Sequence, residues 1–189
     1  MARPQKVDDE ALLDRLSHVF RAVGYEGASL ARLAEAAGMQ GPSLYHRFPG
    51  GKRQMAEAVL GAAGAWYAKH VFAPLTGPGT PAQRIDHVAR SLDTFYAGGR
   101  QACLLNLLSQ QPGEASPFAD AIREIFHALI TALSVLAHEA GLPQDAAYAR
   151  AQRTVALLNG SLVLARGMQT PAPFHAFTAT LGQELGVRS

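Results

Sequence analysis

The sequence predicts an all-α protein. Apolar residues recur every three or four positions over most of the 189-residue chain, the spacing that places them on one face of a helix. Turn-forming pairs separate these segments at Gly98-Gly99, Gly141-Leu142 and Thr170-Pro171. We found no convincing alternation of apolar and polar residues of the kind that indicates a half-buried strand. We therefore expect about nine helices and no sheet.

Most of the helices are predicted from this periodicity alone. The first helix is expected from about Asp9 to Val23, and a fourth from Lys52 to about Phe72, where Ala73-Pro74 should break it. A turn-rich linker of composition PLTGPGTP follows. Further helices are expected at about 82–97, 103–108, 118–140, 145–168 and 172–185.

Residues Ser29 to Lys52 indicate two short helices joined by a tight turn. Leu33 and Ala37 lie at helical spacing, and Gly38 then falls where a left-handed C-terminal cap is favoured. In the next helix Leu44 and Phe48 should point inward. The outer face would then be polar, aromatic and basic, with Gln40, Gly41, Pro42, Ser43, Tyr45, His46 and Arg47. A helix of this kind, set at an angle by a glycine turn, is how a helix-turn-helix enters the major groove of DNA.

Residues from about Asp9 to Lys69 resemble the DNA-binding head of the TetR family of bacterial repressors. The matching positions are Gly24-Tyr25, Ser29, 33–39, 43–48 and Lys52. The resemblance implies a helix-turn-helix head at residues 1–52, a connecting helix at 52–72 and a ligand-binding and dimerisation domain at 73–189. It also implies a cytoplasmic homodimer that binds double-stranded operator DNA and responds to a small-molecule effector.

The predicted DNA-binding residues are Ser29, Gln40, Gly41, Pro42, Ser43, Tyr45, His46, Arg47 and Lys52. Gln40 is the favoured direct reader, because a glutamine amide can bind adenine through two hydrogen bonds. Lys52 is expected to bind phosphate together with the free N–H groups at a helix N-terminus. Three alternatives stay open: Tyr45 as a core aromatic, His46 and Arg47 as a solvated surface, and Ser29 as a plain N-cap.

A stripe of mostly small residues runs along the helix predicted at 145–168. It consists of Ala149, Gln152, Ala156, Gly160, Val163 and Gly167. Glycine inside a helix costs about 1 kcal/mol relative to alanine, so its presence here indicates close packing. The resemblance implies that this face and the last helix form a two-fold dimer interface. Packing against the last helix of the same chain is the alternative.

The resemblance further implies an effector pocket enclosed by aromatic and apolar side chains. The candidates are Trp66, Tyr67, His70, Phe95, Tyr96, Leu104, Leu107, Leu108, Phe126, Ile130 and Leu133. Such a pocket suits a small hydrophobic or aromatic molecule. The stretch 102–107 resembles a Gly-Cys-Leu-Leu segment of multidrug-type and flavonoid-responsive repressors. Cys103 lies there in an apolar run with no nearby cation, which argues against redox sensing.

Composition and motifs favour no other class of protein. The N-terminus lacks the apolar core of a signal peptide, and no apolar run approaches the roughly 18 residues needed to span a bilayer. The chain shows no P-loop, dinucleotide fingerprint, nucleophile elbow or helical histidine pair. We therefore expect no catalytic residues, no metal, no cofactor and no membrane partner. The predicted function is a ligand-responsive repressor; the alternatives are an activator of the same fold and an effector-free architectural DNA-binding protein.

Overall fold

The computed structural model describes residues 8–109 and 116–187. These residues form helices and connecting turns without any strand, which confirms the predicted all-α class. The helices are α1 (Asp9–Gly27), α2 (Leu30–Ala37), α3 (Gly41–Arg47), α4 (Gly51–Tyr67), α5 (Ala73–Thr76), α6 (Pro81–Phe95), α7 (Leu104–Ser109), α8 (Ala119–Glu139), α9 (Gln144–Gly167) and α10 (Ala172–Glu184). A π-helical turn, Ala68–Phe72, joins α4 to α5 without a break; with these three segments counted as one helix, the described residues form nine helices.

Contacts divide the chain into two compact units. Among the described residues, the first unit holds 8–63, 104–109 and 116–118, and the second holds 64–103 and 119–187. The division falls near the end of α4, and α7 belongs with the N-terminal helices although it follows α6 in sequence. The domain boundaries derived from the sequence, at residues 52 and 73, stay a prediction.

The first unit is built around an apolar core on α1. Leu12, Leu16 and Phe20 are at most 1% exposed. The regular helix stops at Val23, as predicted: Gly24, with a φ of 70° and a ψ of −179°, is not helical, and a short helical segment follows it up to Gly27. Positive φ is accessible to glycine at no steric cost, so Gly24 can form this kink within α1.

The turn between α2 and α3 has the predicted geometry. Ser29 Oγ accepts a hydrogen bond from the backbone N–H of Arg32 at 3.3 Å and so caps the start of α2. Gly38 ends α2 in the left-handed conformation, with φ 65° and ψ 31°. Its N–H donates to the carbonyls of Ala34 and Glu35. These bonds satisfy the last carbonyls of α2 and redirect the chain into α3.

The predicted break at Ala73-Pro74 is wrong. The helical path continues through Pro74, because the preceding turn is π-helical: the N–H of Ala73 donates to the carbonyl of Ala68, five residues earlier. A proline within an α-helix clashes with the carbonyl four residues before it, and a wider turn relieves that clash. The helix therefore ends at Thr76, one turn later than expected.

In the second unit, Arg84 on α6 contacts two other helices. Its side chain is buried, and Nη1 donates to the carbonyl of Leu75 at 2.7 Å. Nη2 pairs with the carboxylate of Glu139 on α8. The guanidinium therefore connects the end of α5 with α6 and α8. Helix α9 packs between α8 and α10, with Ala151, Val155 and similar small or apolar residues buried along its inner face.

Helix α8, with 21 residues, is long and apolar enough to cross a membrane by length and composition, a test that core helices of soluble proteins also pass. Leu129, Leu133 and Leu136 face the core, whereas Val135 remains 44% exposed. The apolar character of α8 thus combines a buried face with apolar positions on its surface.

Candidate nucleic-acid interface

Helix α3 has one buried face and one exposed face. Leu44 is 1% exposed and Phe48, directly after the helix, is 8% exposed. The exposed residues are Gln40, Pro42, Ser43, Tyr45 and His46, and Gly41 is half-buried. Tyr45 keeps 47% of its surface exposed, so it is not a core aromatic. This face offers amide, hydroxyl, phenol and imidazole groups to a partner.

Gln40 lies at the start of α3 in an extended conformation. Its side chain makes no capping hydrogen bond to the helix and is exposed. Pro42 occupies the first turn of α3. The N–H groups of a first turn have no partner within the helix, so the missing N–H of proline costs no hydrogen bond there. The amide of Gln40 is consequently not used by the start of the helix.

Arg47, at the end of α3, forms an ion pair with a neighbouring helix of the first unit. Its guanidinium pairs with Asp9 in the first turn of α1, and its side chain is 29% exposed. This ion pair joins the end of α3 to the start of α1. His46, the residue before it, stays exposed. The prediction of a solvated surface therefore fits His46 better than Arg47.

Lys52, in the first turn of α4, is held within the first unit. Its Nζ donates to the carbonyl of Tyr25 at 3.0 Å and lies 4.3 Å from the centroid of the Tyr25 ring. The carboxylate of Glu26 is 3.9 Å away, and the lysine side chain is only 25% exposed. An ammonium carries three N–H donors, so a phosphate contact would use the two that remain.

The surroundings of Tyr25 shift the pKa of its phenol. Burial raises the pKa of its phenol, the carboxylate of Glu26 raises it further, and Arg53 acts in the opposite direction. The phenol is therefore neutral at physiological pH. In the sequence, Tyr25 is only a position that matches the family; its role in holding Lys52 depends on the kink at Gly24, which sequence spacing alone does not reveal.

Two sequence profiles match the chain. The profile described as bacterial regulatory proteins, tetR family, matches residues 12–59, and the profile described as transcriptional regulator LmrA/YxaF-like, C-terminal domain, matches residues 81–180. The chain belongs to the TetR family. It is a transcriptional regulator with a helix-turn-helix DNA-binding head.

Individual relatives agree with this assignment. The chain is 43% identical over 58 residues to the HTH-type transcriptional repressor ComR of Escherichia coli strain K12. That match covers 31% of this chain and 27% of the length of ComR.

Solved structures show the same fold over nearly the whole chain. A TetR transcriptional regulator from Legionella pneumophila matches with a TM-score of 0.81 at 18% identity, over 96% of this chain and 98% of that one. The regulatory protein TetR from Rhodobacter sphaeroides matches with a TM-score of 0.76 at 24% identity, over 93% and 97%. A cysteine mutant of the TetR family regulator CifR, complexed with a 26-base-pair double-strand operator DNA, has a TM-score of 0.74 at 21% identity, over 97% and 98%.

Five of the predicted pocket residues of this TetR-family regulator form one aromatic cluster in the second unit: Trp66, Tyr67, His70, Phe95 and Tyr96. The indole of Trp66 stacks on Phe95, with centroids 4.0 Å apart, and on His70 at 5.0 Å. The hydroxyls of Tyr67 and Tyr96 share a hydrogen bond of 2.6 Å. Both tyrosines are fully buried, whereas Trp66, His70 and Phe95 are half-buried.

The other predicted pocket residues are distributed over both units. Phe126, Ile130 and Leu133 lie along α8 in the second unit. Leu104, Leu107 and Leu108 belong to α7 in the first unit, where α7 packs against α1. A shallow groove of about 110 Å³ lies between α6 and α10, lined by Asp86, Thr178 and Gln183 among others, and none of the predicted pocket residues lines it.

All six residues of the predicted dimer stripe, Ala149, Gln152, Ala156, Gly160, Val163 and Gly167, are exposed on α9. The alternative of packing against α10 within the chain is therefore not what the structure shows. Within the stripe Val163 is 57% exposed, and beside it Leu164 is 54% and Met168 63% exposed. A Cβ atom added at Gly160 or Gly167 would meet nothing within 4 Å. The TetR-family chain thus leaves an apolar helix face uncovered.

Replacement of Lys52 by alanine should weaken binding to all DNA sequences and reduce the slope of log affinity against log salt by about two units for a dimer, one per lost phosphate contact. The loss of the bond to the Tyr25 carbonyl should also lower the melting temperature. Fluorescence anisotropy at several salt concentrations, with circular dichroism as a folding control, measures both effects. A folded variant with an unchanged slope would show that Lys52 acts only within the head.

Proposed function

We propose that the chain is a homodimeric repressor that binds a palindromic operator and is released from it by a small hydrophobic or aromatic effector. The observation that carries this proposal is the exposed face of α3 in a head of the TetR family. Leu44 holds one side of the helix in the core, and Gln40, Ser43, Tyr45 and His46 are exposed on the other. As a DNA-binding regulator, the protein would act in the cytoplasm.

The outer groups of α3 fit two kinds of contact. The amide of Gln40 can read a base edge in the major groove through two hydrogen bonds, and Ser43 and His46 can donate or accept one. Tyr45 and the capping serine Ser29 suit phosphate oxygens, which fix the register of the helix without reading sequence. Pro42 offers an apolar surface to a thymine methyl group, and Gly41 allows close approach of the backbone.

Dimerisation is supported by the uncovered face of α9. Exposed apolar side chains at Leu157, Val163, Leu164 and Met168 lie along a helix whose glycines would allow another helix to approach closely. Contiguous apolar surface of this kind marks an interaction site in soluble proteins. A two-fold axis at this face would pair α9 with its symmetry mate and hold two heads at a fixed spacing, as recognition of two half-sites requires.

The aromatic cluster is the proposed effector site. Its half-buried rings, Trp66, His70 and Phe95, offer flat faces for stacking, and His70 lies on the π-helical turn that directly follows α4. An aromatic compound that binds one conformation of this cluster more tightly than another would shift the population of the dimer away from its DNA-binding state.

The proposed operator recognition can be tested by selection of bound DNA from a random pool. We expect two-fold symmetric sites whose half-sites lie one helical turn, or a multiple of it, apart. On the selected operator, Gln40→Ala should cost about 1–3 kcal/mol at one base pair per half-site and leave non-specific affinity unchanged. Recovery of sites without symmetry would contradict the repressor model and favour an architectural role, and a uniform loss on all sequences would make Gln40 a positioning residue.

Gly160→Trp should split the dimer, because the indole would project from the centre of the stripe into the symmetry mate. Sedimentation should then show half the mass, with helical content retained, and operator affinity should collapse although no DNA-facing residue has changed. Gly61→Trp is the matched control: Gly61 is also an exposed helical glycine with open space around it, but lies on α4. A Gly160→Trp protein that stays dimeric would place the interface elsewhere.

The proposed effector site can be tested through Trp66, the single tryptophan of the chain. Aromatic compounds that quench its emission should also raise the dissociation constant for the operator. Phe95→Leu should weaken such a compound by about 0.5–1.5 kcal/mol, the value of one aromatic contact, without changing operator affinity in its absence. Compounds that quench Trp66 and leave DNA binding unaltered would count against an effector role for the cluster.

A further inference from the structure

Part of the segment between α6 and α8 belongs to the first unit, and its residues have no role in the proposed function so far. Helix α7 packs against α1, with Leu104 and Leu108 buried. Ser116 Oγ donates to the carbonyl of Leu108 at 2.7 Å and accepts the N–H of Phe118 at 3.2 Å. Phe118 is thereby fixed relative to α7, and the next residue begins α8 in the second unit.

The ring of Phe118 packs on the residue that holds Lys52. It is 2% exposed and meets the ring of Tyr25 edge to face, with centroids 5.1 Å apart and an interplanar angle of 70°. Phe20 stacks on Tyr25 at 6.3 Å. The carbonyl of Tyr25 accepts the bond from Lys52 Nζ. Tyr25 is therefore the point at which the end of α1, the start of α4 and Phe118 meet.

The start of α4 lies close to the DNA-reading helix. Only residues 48–50 separate α3 from α4. Gly51, the first residue of α4, has a φ of 64°, and a Cβ atom there would lie 3.8 Å from the ring of Tyr45. A displacement of the start of α4 would therefore be passed to α3. Base contacts depend on helix position, because a side-chain hydrogen bond to a base weakens steeply as its geometry departs from the optimum.

We infer that Phe118 is a positioning residue for operator recognition: it supports Tyr25 and, through Lys52, fixes α3 in the orientation that reads DNA. The inference rests on the proposed operator recognition by α3. It assigns a role in DNA reading to a residue distant in sequence from the helix-turn-helix, directly before the first long helix of the second unit.

Positioning and plain core packing predict different DNA-binding behaviour. A residue that only stabilises the fold changes the amount of folded head, and so lowers affinity for operator and unrelated DNA by the same factor. A positioning residue lowers operator affinity alone, because non-specific binding depends on phosphate contacts, and Phe118 carries no charge. The ratio of the two affinities therefore separates the two roles.

The test measures that ratio for the full-length protein and for Phe118→Ala and Phe118→Leu. The probes are the selected operator and a scrambled duplex of equal length. We expect the ratio to fall at least about 5-fold in Phe118→Ala, as when one base contact is weakened, with a smaller fall in Phe118→Leu, which keeps an apolar side chain. Phe177→Leu is the matched control, because Phe177 is a buried aromatic residue of α10. Emission of Trp66 reports whether the second unit stays intact.

Each outcome has a distinct meaning. An unmodified protein that shows no preference for any DNA would overturn the proposed function, whatever the variants do. A specific unmodified protein together with an unchanged ratio in Phe118→Ala would overturn the inference alone. If Phe118→Ala does not fold, Phe118→Leu decides in the same way. A ratio that falls equally in Phe177→Leu would also overturn it, because a general loss of core packing would then explain the effect.

Discussion

The exposed face of α3, the proposed DNA-reading surface, depends on the burial of Leu44, because α3 has seven residues and cannot persist alone. Isolated helices shorter than about 12–15 residues are marginal in water. Leu44 and Phe48 anchor α3 in the core, and the ion pair between Arg47 and Asp9 attaches its end to α1. The left-handed turn at Gly38 sets its direction. The geometry offered to DNA is thus a property of the packed head.

Packing around Tyr25 also supports the head, at a place outside the helix-turn-helix. Its carbonyl accepts the N–H of Ala28 as well as the ammonium of Lys52. Because Gly24 bends α1 just before it, this carbonyl is available to a side chain from α4. The ring of Phe118 packs edge to face on the ring of Tyr25. A family signature such as Gly-aromatic is therefore explained by packing: the glycine sets the bend, and the aromatic ring fills the space between three segments.

The sequence predicted the parts that depend on local chemistry. Gly38 and Leu44 follow from cap preference and helical spacing, and both were placed correctly. Pro74 was assigned to a helix break because local rules do not foresee a π-helical turn that accommodates it. The bond of Lys52 to the carbonyl of Tyr25 was not foreseen, because it is a tertiary contact between residues 27 positions apart, and the phosphate contact of Lys52 stays a prediction. Phe118 was missed for the same reason, since its partner lies on α1.

The proposed switch requires a minimum difference in the free energy with which an effector binds the two states of the aromatic cluster. To invert a two-state population from 1:99 to 99:1 requires about 5.5 kcal/mol of differential binding. A dimer with two effector sites would need about half of that at each site. One aromatic contact contributes about 0.5–1.5 kcal/mol, so a compound that stacks on a single ring cannot supply it. Trp66, His70 and Phe95 are the three half-buried rings of the cluster. If the cluster is the effector site, as proposed, an effector must engage most of these rings in one state and lose them in the other, and rearrangement of the Trp66 stack would be the source of the switch.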